Sequence, residues 1–120
     1  MKMATAELGD QRIILDVTET PAEMATGLLG RNILPRGHGM IFRFPQNTRT
    51  AFTMTGMQFP IDMIFVAANW DIVWVFERAR PGVAGYLSPV PYRYVIEVPA
   101  GTYARSRVGR VRILSFPLSA

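Results

Sequence analysis

Apolar residues in this chain come in short bursts separated by proline and glycine. Gly39-Met-Ile-Phe-Arg-Phe-Pro45, Phe59-Pro-Ile-Asp-Met-Ile-Phe65 and Val95-Ile-Glu-Val-Pro-Ala-Gly101 are the clearest. Each is a run of Val, Ile, Met and Phe bounded by Pro or Gly, which is strand chemistry. The pattern predicts an opening strand at Arg12–Val17, further strands at Met40–Phe44 and Arg93–Val98, and a closing strand at Arg110–Phe116. Ile61–Val66 and Asp71–Phe76 form a hairpin through Ala67-Ala-Asn-Trp70, and Thr-rich Arg49–Met54 is a further candidate strand. One stretch breaks the β pattern. Thr20-Pro21-Ala22-Glu23 combines a capping threonine, a proline suited to the first helical position and a glutamate able to close a capping box. Met24, Leu28 and Leu29 give that helix an apolar stripe, and Gly30 stops it. Residues 31–39 and 78–91 are loops, and 99–107 is a turn or a single helical turn.

About six or seven short strands and one helix define a mainly β (α+β) chain. Ile72, Val73, Trp74, Val75 and Phe76 are apolar at every position, implying burial on both sides of the sheet. The expected architecture is a small closed or partly open β-barrel with one packed N-terminal helix. The 120 residues make a single domain spanning 1–120.

Composition then narrows the chemistry. Hydrophobic content of 49% with 18% charge is globular and excludes intrinsic disorder. With no cysteine, disulfides, thiolate zinc sites and cysteine nucleophiles are ruled out, and the single histidine, His38, rules out a His-only metal cage. No cofactor or metal set can be assembled. The longest apolar zone, 59–76, is interrupted by Asp62, Asn69 and Asp71 and is too polar for a membrane span. No leader is visible, so the expectation is a soluble, cytoplasmic chain; an exported protein shorn of its leader would read the same. The net charge of +4 is uneven: residues 1–77 carry six basic and eight acidic groups, whereas residues 78–120 carry seven arginines against Glu97 alone.

The ordered series Thr20-Pro-Ala-Glu, Gly27-Leu-Leu-Gly-Arg31, Gly39-Met-Ile-Phe-Arg-Phe-Pro45, Phe52, Met54, Pro60-Ile-Asp62 with Phe65, and Val95-Ile-Glu-Val-Pro-Ala-Gly101 resembles the family called domain of unknown function 192. The likeness runs from about Arg12 to Phe116. It implies a compact, mostly β domain, in many members exported or lipid-anchored, and no established reaction. Three departures stand out. Thr53-Met54-Thr55-Gly56 replaces the usual Trp-Met-Lys-Asn, Gly82-Val-Ala-Gly-Tyr86 lacks a frequent cysteine, and Gly109-Arg110 replaces a common Gly-Asp. Activity depending on that Lys, Asn or Cys does not transfer to this chain.

Two acids lie inside apolar strands, where a charge must find a partner or change its protonation state. Asp62 shares a face with Ile64 and Val66, opposite Ile61, Met63 and Phe65. It is read as a structural carboxylate, an acceptor for backbone N–H groups or a partner for Arg31 or Arg49; the functional reading is a base or a ligand group at a barrel mouth. Glu97 shares a face with Arg93 and Val95, and would form a hydrolytic pair with Asp62 only if their strands adjoin and both acids meet. His38, between two glycines, is read as an exposed loop residue. Arg105, Arg107, Arg110 and Arg112, with Tyr103, are a weak nucleic-acid candidate without a recognised motif. Thr48, Thr50, Thr53 and Thr55 beside Phe52, Met54 and Met57 have the composition of a small-ligand pocket. Trp74 is assigned to the core.

These residues favour a non-enzymatic module that binds a small apolar ligand or a protein partner near 52–62. The candidate ligand residues are Phe52, Met54, Asp62, Arg31, Tyr86 and Glu97. A hydrolase using Asp62 with Glu97 or His38 is the alternative, and weak nucleic-acid binding through the arginines the second.

Overall fold

The computed structural model of the protein describes residues 2–117, and among them the β-favouring runs become seven strands. These are β1 (Met3–Leu8), β2 (Gln11–Thr18), β3 (His38–Thr48), β4 (Ile61–Val66), β5 (Ile72–Ala79), β6 (Tyr92–Pro99) and β7 (Arg112–Ser115). They form one sheet in the order β5-β4-β6-β3-β2-β1-β7. Neighbours are antiparallel except β2 and β3, which run parallel. A parallel pair needs a crossover, and helix α1 (Pro21–Thr26) lies in it. Strand β1 has no counterpart in the sequence reading. It alternates exposed and buried as required, but its inward positions include Ala4 and Ala6, poor strand formers.

The sheet curls until the segments ahead of its two edge strands touch. Asp71 and Arg110 form an isolated bridge there, with the Ile72 N–H donating to the Gly109 carbonyl at 2.8 Å and the Val111 N–H to the Trp70 carbonyl at 3.0 Å. Strands β5 and β7 do not themselves pair among the described residues, so the sheet is not closed into a barrel.

Burial on both sides of the central strands follows the pattern. All six positions of β4 are buried. Ile64, Val66, Ile96 and Val98 join Leu15 and Ile41 in one core, on the concave side of the curl. Met63, Phe65 and Val95 join Met40, Phe42 and Met54 in a second core on the outer face. The run at 72–76 is the exception. Strand β5 is an edge strand, and Trp74, expected in the core, is 43% exposed. Trp70 packs instead, stacked flat on Tyr94 with ring centres 4.0 Å apart.

The helix has its expected start and an earlier end. Thr20 Oγ1 accepts from the Glu23 N–H at 3.1 Å, while Glu23 Oε1 accepts from the Thr20 N–H at 3.1 Å. The helix stops at Gly27, whose φ of 46° favours glycine, so Leu28 and Leu29 lie in the following turn. Gly39 answers a different need. A Cβ there would sit 2.4 Å from the Glu97 carbonyl oxygen, so β3 reaches β6 only because the side chain is missing. Arg49–Met54 is not a strand; its end is an outer cover, with Phe52 bridged to Tyr86 through two backbone hydrogen bonds of 2.8 and 2.9 Å.

Candidate functional site

The cover stands off the outer face and leaves a cavity of about 270 Å³. Met24, Leu28 and Leu29 wall it on the helix side, Phe42 and Phe44 from β3, and Thr50–Met57 from the cover. Its aromatic rings meet edge to face, Phe42 and Phe52 at 5.1 Å and Phe44 and Phe52 at 6.3 Å. The Tyr92 hydroxyl donates to the Thr50 carbonyl and ties the cover to β6. Burial pushes that phenol up to about 12, so the donor keeps its proton.

Glu97 joins this lining from β6. It is 5% exposed, flanked in register by Met40 on β3 and Met63 on β4. Among the described residues no donor and no cation contacts its carboxyl, and burial alone pushes it up to about 8. At neutral pH the group is mostly the uncharged acid.

Asp62 has the opposite surroundings. It is fully buried, and its Oδ1 accepts from the Arg78 N–H at 2.9 Å. Its Oδ2 accepts from the N–H groups of Gly101 at 3.1 Å and Tyr103 at 2.9 Å. The pairing of β4 with β5 shifts between Ile61 and Met63, and Arg78 sits in that bulge at a φ of 53°. One carboxylate therefore holds a strained bulge and the 99–103 turn. The acceptor role expected for Asp62 is realised with backbone donors, whereas Arg31 pairs with Asp16 at 2.9 Å and Arg49 donates to the Ser88 carbonyl.

The strands of Asp62 and Glu97 do adjoin, but Glu97 is opposite Met63 and Asp62 is opposite Val98. The two acids therefore project from opposite faces, and no acid pair forms. His38 is exposed, pairs with Ile14 through its backbone, and makes no hydrogen bond to either acid among the described residues. Of the six candidate ligand residues, Phe52, Met54 and Glu97 line the cavity. Asp62, Arg31 and Tyr86 lie outside it; the Tyr86 hydroxyl accepts from the Arg80 N–H. Phe42, Phe44 and Met24 were not anticipated. The alternation of Met40, Phe42 and Phe44 against Ile41 and Arg43 was the available signal.

The basic C-terminal cluster is largely engaged in surface ion pairs. Arg107 pairs with Glu77 at 3.1 Å, Arg110 with Asp71 at 2.8 Å and Arg112 with Glu7 at 3.5 Å. Among the described residues no helix is long and apolar enough to cross a membrane, and no group of His, Cys, Asp and Glu could hold a metal.

The sequence profile of the uncharacterized family DUF192 matches residues 3–113, and the chain belongs to that family. Two solved structures share the fold. A protein from Sinorhizobium meliloti 1021, provisionally described as a transcription regulator, is 26% identical with a TM-score of 0.85 over 92% of both chains. A protein of unknown function from Novosphingobium aromaticivorans DSM 12444 is 25% identical with a TM-score of 0.81, over 94% of this chain and 84% of that one. No curated protein matches the chain significantly.

Proposed function

We propose that the protein is a non-enzymatic binding module that takes a small, largely apolar ligand between its outer sheet face and the cover. The observation that carries this reading is the cavity itself, about 270 Å³ in volume and walled by Phe, Met and Leu side chains with threonines among them. That composition, apolar walls with a few polar groups, is the usual one for a small-molecule site, at the small end of the size range. Two observations favour binding over hydrolysis. Asp62 has its oxygens engaged by three backbone donors, and among the described residues no second titratable group lines the cavity with Glu97.

The test is a titration of octanol and indole followed by the NMR signals of the methionine methyl groups. Met24, Met54 and Met57 should shift together and saturate, while exposed Met3 stays put. Met24→Trp, filling the cavity from the helix side, should abolish the response with little loss of stability. Shifts that never saturate, or that spread over all the methionines, would overturn the reading.

A further inference from the structure

We infer that the ligand is a lipophilic cation, an alkylammonium whose charged head meets Glu97 and whose apolar body lies against Phe42, Phe52 and Met54; this rests on the cavity reading. Glu97 is a buried carboxyl with no partner among the described residues, in a position that Gln or Met could fill without an ionisable group. Buried charges are normally paired, and a carboxyl left open toward a cavity without a partner marks where a ligand's positive charge belongs.

The walls select the sign of charge. Among the described residues no Lys, Arg or His lines the cavity, so an anionic ligand would face Glu97 with no counter-charge. Phenylalanine faces and methionine sulfurs attract cations through ring quadrupole and polarizability, and a carboxylate at one end completes an ammonium site.

The elements packed around Glu97 offer no competing charge. β3 contributes Met40 and Phe42, β4 contributes Met63, and the helix turn and cover contribute only uncharged lining residues. Arg93, on the same face of β6, directs its guanidinium to the Phe44 and Pro45 carbonyls. Glu23 is held in the capping box, and His38 is exposed two positions before Met40. Entry of a cation must therefore displace the Glu97 proton to solvent, leaving a carboxylate–ammonium pair in its place.

Calorimetric titration of the full chain with hexyltrimethylammonium, whose charge does not titrate, tests this against uncharged 1-heptanol. Ammonium affinity should rise about tenfold per pH unit from about pH 6 to about pH 8 and then level off, with about one proton released per ligand at the acid end. Heptanol affinity should not follow pH. Glu97→Gln should weaken ammonium binding at least about tenfold at pH 8 and abolish its pH dependence, with heptanol changed by less than about threefold. Because the pH profile and proton release are read on the unmodified protein, they decide the matter even if the variant folds poorly. Saturable heptanol binding without ammonium binding, or ammonium binding indifferent to pH and to Glu97→Gln, overturns the cation assignment and leaves the cavity reading standing. If neither compound binds, both readings fall.

Discussion

Asp62 and Glu97 stand one register step apart on neighbouring strands, both buried, and their fates are opposite. Asp62 faces backbone: a bulge and a turn whose N–H groups have no strand partner converge on it, and three of them donate to its oxygens. Among the described residues no side chain donates to Glu97, and its carboxyl holds a proton instead of a partner. Depth of burial is thus a poor guide to what an acid does. What separates the two is whether the chain itself needs an acceptor at that point.

The comparison is most exposed to Asp62→Asn. Asparagine keeps one carbonyl oxygen and turns a donor toward N–H groups, leaving at least one buried donor unpaired at a cost of about 3 kcal/mol. The melting temperature should fall roughly 10 °C. An unchanged denaturation curve would show that the carboxylate holds nothing together.

Glu97→Gln should act in the other direction. In the unfolded chain Glu97 ionises near its ordinary value of 4.5, whereas the fold holds the proton to about 8. Its contribution to stability is therefore complete below the unfolded value and is lost as pH climbs toward 8, by up to about 1.4 kcal/mol per pH unit. Glutamine has no such window. Without ligand the variant should match the parent near pH 4.5 and exceed it by about 3 kcal/mol at pH 7, as paired urea titrations would reveal. A parent curve parallel to that of the variant would mean that Glu97 is ionised and partnered.

Thr20→Ala should cost about 1 kcal/mol by removing one arm of the capping box. It touches only the helix that walls the Glu97 side, so the Arg78, Gly101 and Tyr103 amides should keep their hydrogen-exchange protection. Loss of protection on both sides would merge what the comparison separates. Trp74→Thr, at an exposed position of the edge strand, should move the urea midpoint by less than about 0.5 kcal/mol equivalent.

Six of the seven strands, the capping box and the opposed faces of Ile61–Val66 were legible because each rests on local spacing, although Arg49–Met54 reads as a further strand and is not one. The resemblance to the DUF192 family was legible in the order of motifs. Four things were hidden. Strand β1 is built on Ala4 and Ala6, which carry little strand preference, and pairing with β2 decides its state. Trp74 looks like core until strand order places it at an edge, and strand order is nonlocal. The cavity likewise depends on which loop covers which face: Phe52 and Met54 were in view, but Phe42, Phe44 and Met24 join them only through tertiary packing. The separation of Asp62 from Glu97 needed the β4–β6 register, which neither strand carries alone.

That register also governs when the protein can fold. β6 lies between β4 and β3 in the sheet, yet it follows both in the chain. A nascent chain ending short of Tyr92 holds two separate pieces, β1–β2–β3 and β4–β5, each with an unpaired strand edge where β6 belongs. Such edges recruit other strands, so the half-made protein is a target for chaperones and for aggregation. When residues 92–99 emerge they must insert into that gap, a sequence-distant step expected to make folding slow. They bring Glu97 with them, so the ligand cavity acquires its acid only as the two halves are zipped into one sheet.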